Sequence, residues 1–197
     1  MKNCKIQGSG RVTEGEYDNI TIEGTGKLVD DVTVNTINVS GIMIAKGKLR
    51  AKVIKSIGMI RLFKEASIDI IQIDKGVLTS KSDINSSLLE CRGAIRIKGG
   101  INSDIVKIEG KGKVDYIVGE NIIIRNNLQI ENKVRHDKFK VNRIEGTSIE
   151  ICNVNCRNIE GDCIKVTGKS VVGQICYTKS LEMDPDSKVK RIVKLDR

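Results

Sequence analysis

The chain has 197 residues, a length that suits one or two globular domains, with a formal net charge of +9 at pH 7 and 39% apolar content, enough for a continuous core. Ile and Val together outnumber Leu by about five to one, and Pro185 is the one proline. Such a composition favours pleated strands whose backbone N–H groups all sit in ladders. It excludes a membrane-spanning helix, for which no apolar run is long enough, and with no Trp, two Phe and three Tyr it argues against a sugar-stacking groove.

The N-terminus, Met1-Lys2-Asn3-Cys4-Lys5, lacks the apolar stretch of a secretory signal. A cytoplasmic location is therefore expected, with the six cysteines as reduced thiols. Residues 1–19 carry Ile6, Gly8-Ser9-Gly10, Val12 and Tyr17, which read as an irregular first coil of strand and corner.

From Ile20 the pattern becomes regular. Apolar residues return every 17 positions at Ile20, Ile37, Ile54 and Ile71, beside a second column of Ile22, Val39, Ser56 and Ile73. A third column, Gly24, Gly41 and Gly58, breaks at Lys75. This period is too short for the common helical repeats and fits one coil of a β-solenoid with three short strands and three corners. The alternation in Ile20-Thr21-Ile22-Glu23 marks strands with one face buried. The glycines are expected at a recurrent corner, where glycine can take positive φ.

Beyond Ile71 the period continues with a one-residue slip, through Leu88 or Leu89, Ile105 or Val106, and Ile122 or Ile123. A bulge or longer corner absorbs such a slip if inward parity is restored afterwards. Residues 125–142 break the pattern. They are polar and are expected to leave one corner as a loop, or as a hairpin built on Leu128-Gln129-Ile130 and Phe139-Lys140-Val141. The final coils run through Ile149, Ile164 and Leu181, with Met183-Asp184-Pro185-Asp186 as a corner and Ile192-Val193-Lys194-Leu195 as the last strand.

The stretch from Asn142 to Leu195 resembles the C-terminal half of the bactofilins, the polymer-forming cytoskeletal proteins of bacteria. Its carriers are Arg143-Ile144-Glu145-Gly146-Thr147-Ser148-Ile149-Glu150-Ile151, Ile159-Glu160-Gly161-Asp162-Cys163-Ile164-Lys165-Val166, and Ser180-Leu181-Glu182-Met183-Asp184-Pro185-Asp186-Ser187-Lys188-Val189. The N-terminal coils are similar in style, and the 125–142 interruption is like that of a longer form found in Firmicutes. The resemblance implies a right-handed parallel β-helix that assembles end to end into filaments without nucleotide, as a scaffold for envelope, shape or motility machinery. Right-handed crossovers are the rule, but short-coil helices with hexapeptide repeats break it, so the handedness rests on the resemblance. Family members often attach to the membrane through a short N-terminal segment. Here the coils begin almost at Met1, so the inner face of the membrane is not assigned by that route.

The residues reach part of the same expectation without the family. About eleven coils at roughly 4.8 Å per rung give a body about 50 Å long whose terminal strands have unpaired edges. No helical cap is expected at either end. Stacking on a second copy would bury Ile6 and Val12 at one end and Met183, Ile192, Val193 and Leu195 at the other. The alternative is that terminal segments fold over and seal the core.

Motifs with chemical potential are few. Cys163-Ile164-Lys165-Val166-Thr167-Gly168-Lys169-Ser170 is one glycine short of a phosphate-binding loop and alternates like a strand, so no nucleotide cofactor is expected. Gly8-Ser9-Gly10, Gly24-Thr25-Gly26 and Gly110-Lys111-Gly112 suit tight corners. Cys152, Cys156, Cys163 and Cys176 include no Cys-x-x-Cys knuckle, so no metal is expected. His136, followed by Asp137 in a charged segment, reads as a solvated histidine, and no catalytic residue or enzymatic activity is expected. The basic balance leaves a second reading, a binding module for nucleic acid or an anionic membrane, against the plainer one that outward lysines keep a sheet soluble.

Overall fold

The computed structural model describes residues 2–126 and 138–196. About four-fifths of these are strand and none is helical. Four short-strand coils come first. Along the chain the first carries β1 (Lys2–Ile6) and β2 (Ser9–Val12), the second β3 (Gly15–Ile22) and β4 (Thr25–Leu28), the third β5 (Val32–Val39) and β6 (Ile42–Ala45), and the fourth β7 (Leu49–Ser56) and β8 (Met59–Leu62). Longer strands then run through their corners: β9 (Ala66–Ser80), β10 (Ile84–Ile97), β11 (Gly100–Arg125), β12 (Phe139–Cys152), β13 (Val154–Thr167), β14 (Val171–Met183) and β15 (Lys188–Lys194).

Successive coils stack in parallel register, giving a β-solenoid of about eleven turns with β1 and β15 at opposite ends of the sheet. The repeating isoleucines stack directly: Ile20 on Ile37, Ile54 and Ile71, then Leu89 and Val106. The column resumes as Ile122, Ile149, Ile164 and Leu181. Each coil turns three pairs of alternating side chains inward, as Val32 and Val34, Ile37 and Val39, and Met43 and Ala45 do on the third coil. Three inward pairs separated by corners make a three-faced tube, and the interior is filled by their side chains.

The predicted slip lies at Lys75. The ladder pairs Asp74 with Arg92 but Gly76 with Gly93, leaving Lys75 as an extra residue at φ 56°. That bulge returns Leu78 to the inward column. The glycine column therefore does not end at Lys75 but moves one place to Gly76, Gly93 and Gly110.

The expected reason for the first glycines needs correcting, because Gly24, Gly41 and Gly58 are not among the positive-φ residues. What they meet is backbone. A Cβ on Gly24, Gly41 or Gly58 would come within 2.0 Å of the carbonyl oxygen of the preceding coil's glycine. Rungs can approach this closely at the corner only without side chains.

The 125–142 interruption is shorter than expected. Arg125 ends β11, and Phe139-Lys140-Val141 opens β12, in parallel pairing with Val114 and Val154 strands of the coils below and above. The hairpin reading is thus overturned for Phe139–Val141. Phe139 is fully buried, and a buried aromatic here is worth more in the core than in an excursion. Its ring takes the space left by Gly112 one coil below, whose Cβ would lie 2.8 Å from the Phe139 ring. Leu128-Gln129-Ile130 and His136 lie outside the described residues.

Candidate assembly edges and a basic face

At the C-terminal end the inward columns remain apolar but lose their cover. Met183 is 43% exposed and Ile192 48% exposed, although their column partners Val166 and Ile175 are buried. Leu181 and Val189, not among the residues expected at the contact, are partly buried against the same core. Ladder pairing of β15 stops at β14, and the second half of β14 has no rung on its far side among the described residues. Lys194 follows Tyr177 in an inward column and is exposed, placing one charge on an otherwise apolar rim.

The remaining predicted interface residues divide. Val193 points outward between Ile192 and Lys194, and Leu195 lies past the strand, lining a surface depression with Thr178 and Asp162. Leu195 is held there by donating its N–H to the Tyr177 carbonyl at 2.7 Å. At the N-terminal end Ile6 and Val12 are inward and already buried, 7% and 2% exposed. Gly10 beside them leaves room that Ile6 fills. The first rung therefore presents the unpaired backbone of β1 and β2 rather than apolar side chains.

The Cys163–Ser170 stretch is strand followed by a corner in which Gly168 and Lys169 take φ of 68° and 61°. Its amides are in use: Gly168 N–H donates to Asp184 at 2.7 Å, and Ser170 N–H donates to the Ser187 hydroxyl at 3.1 Å. Hydrogen bonds, first from the Ser187 side chain, hold the Asp184 carboxyl below its ordinary range. Cys91 and Cys156 sit in inward columns, where burial pushes both thiols up to about 12, while Cys163 is exposed. Among the described residues no group of three or more His, Cys, Asp or Glu gathers as a metal site.

Charge is sorted by face. Ion pairs run along the outer side of the Ile20–Ile22 columns, as Lys5 with Glu23 at 2.9 Å, Arg125 with Glu150 at 2.9 Å and Lys165 with Glu182 at 3.2 Å. Arg143 with Glu145 and Lys179 with Asp162 pair on and beside the Val32–Val34 face.

The third face, outside β4, β6 and β8, differs. Following paired Cα positions from rung to rung, its central outward column places Arg11, Lys27, Arg61, Arg96, Lys113, Lys140 and Lys188 in one line. The intervening rungs carry Ile44, Thr79, Asn155 and Val171, so the line contains no acid. Among the described residues none of these seven cations forms an ion pair. A neighbouring column adds Lys46, Phe63, Lys81 and Lys98. Arg96 and Lys113 keep the 17-residue period in the sequence, but the slips at Lys75 and beyond Asn126 hide the rest of the line there.

No protein-family model, curated protein or solved structure matches the chain.

Proposed function

We propose that this protein is a non-enzymatic structural element that assembles end to end, coil on coil, into filaments or scaffolds without nucleotide. The observation that carries the reading is the C-terminal rim, where Met183 and Ile192 continue buried apolar columns and yet stand 43% and 48% exposed. A second copy stacked there pairs the free strand edge and removes this surface from water. A contact that repeats from copy to copy without closing generates an open polymer. The resemblance to the bactofilins supports the same reading, and on it rests the scaffold role in envelope, shape or motility, with such machinery as partners, in the cytoplasm.

Electron microscopy of purified protein at micromolar concentration, near-physiological salt and no nucleotide tests it. Filaments are expected, and dispersed single particles would overturn the reading. Met183→Glu and Ile192→Glu each place a charge in the stacked contact and are expected to shorten or abolish filaments, with β-rich circular dichroism retained. Leu195→Glu, on the flank, is expected to leave them intact.

A further inference from the structure

We propose that the basic face outside β4, β6 and β8 docks on a bilayer containing anionic lipid, with the solenoid axis lying in the plane of the membrane. Three observations converge on it, and none depends on end-to-end assembly.

First, the cations form a line. Rungs separated by about 4.8 Å carry the column from Arg11 to Lys188 over about 50 Å, and a rigid ladder holds it straight. Because these side chains have no acidic partners among the described residues, their charge is directed at solvent. The corresponding outward columns of the other two faces mix Arg50 with Glu16, Glu145 and Glu160, and Lys5, Lys55, Lys107 and Lys165 with Glu90, Glu150 and Glu182, so solubility alone does not call for a line of cations free of acid.

Second, the face bears exposed apolar side chains where the cations thin out. Ile42 is 37% exposed and pairs with Met59 on the next rung, and Phe63 is 39% exposed with the Lys81 ammonium 4.4 Å from its ring centroid. An apolar patch flanked by Lys27, Lys46 and Lys81 suits the boundary between headgroups and acyl chains, where each apolar group enters and each ammonium stays at phosphate level.

Third, Lys113, Lys140, Arg157 and Lys190 surround one shallow depression of about 350 Å³ farther along the face. A lipid phosphate placed there meets several cations at once.

Nucleic acid would use the charge but not the rest. A duplex offers nothing to bury Ile42 or Phe63, its phosphates curve away from a flat sheet, and sparse aromatics give single strands little to stack on. A planar anionic surface accounts for charge, flatness and apolar patch together.

The test is co-sedimentation with vesicles of phosphatidylcholine, with or without phosphatidylserine, using Ile192→Glu protein so that polymers do not pellet. Binding that requires phosphatidylserine and weakens with salt is expected. Each cation near such a surface multiplies partition about fivefold, so Lys113→Glu with Lys140→Glu should weaken it at least about 25-fold. Lys52→Glu with Lys55→Glu makes the same change in net charge on the other faces and should leave partition nearly unchanged. Should the reversed pair lose its β-rich circular dichroism, Lys113→Gln with Lys140→Gln replaces it. Ile42→Ser with Phe63→Ser should weaken vesicle binding without affecting any retention of duplex DNA. Equal loss from both charge pairs, or no binding to phosphatidylserine vesicles at low salt, would overturn the proposal. So would tighter binding to duplex DNA with the serine variants neutral.

Discussion

At the scale of single residues, closeness between rungs is the governing constraint. Gly41 faces the Gly24 carbonyl at a distance no Cβ tolerates, whereas a Cβ on Gly8 would meet nothing within 4 Å. Gly41→Ala is expected to cost about 1–3 kcal/mol or more, as overpacking against backbone does, and Gly8→Ala to be nearly neutral in denaturant titrations. The buried thiols give a second prediction. With their folded values raised from 9.0 to about 12, Cys91 and Cys156 stay protonated and unreactive in the native protein at mildly alkaline pH, while exposed Cys163 is labelled. The sign of the linkage follows. The unfolded chain releases these protons first, so stability intact below pH 9 declines as pH rises toward 12.

At the scale of elements, register is kept by repairs at corners rather than by uniform strands. Lys75 is one residue of excess, in a left-handed conformation that costs a non-glycine residue roughly 1–2 kcal/mol. Deleting Lys75 gives that corner the length of its neighbours and is expected to preserve the fold and leave its melting temperature equal or higher. A drop of many degrees would show that the bulge has a packing role. The longer break between Asn126 and Lys138 is handled in the same way. Asn153 donates to the Asn126 carbonyl at 3.0 Å across a separation of 27 residues, so the corner closes with the ladder aligned on both sides. Ile144-Glu145-Gly146 and Ile159-Glu160-Gly161 recur 15 residues apart in the sequence. That Ile117-Val118-Gly119 is a third copy of the Ile144-Glu145-Gly146 and Ile159-Glu160-Gly161 rungs was hidden by this interruption.

At the scale of the whole molecule, a solenoid is uniform along its length and distinct at its ends, so association is decided at the rims and docking along the faces. Lys194 is the residue that separates these roles. Its charge in an inward column opposes stacking, as edge charges do. Lys194→Leu is therefore expected to lower the concentration at which polymers form, read by light scattering, and to leave vesicle partition nearly unchanged. An unaltered polymerisation threshold would place Lys194 outside the contact.

Sequence alone determined the period, the β-solenoid class and the Ile20 and Ile22 columns, because each coil repeats one burial pattern and like residues must stack on like. Chain order could not reveal which outward residues share a line, since positions adjacent on a face are about a coil apart in sequence and slip at Lys75 and beyond Asn126. Only the stacked structure decided that seven cations align on one face, that Ile6 and Val12 are already covered, and that Met183 and Ile192 are the apolar groups left open. Exposure depends on the next rung, and that rung is a property of the folded ladder.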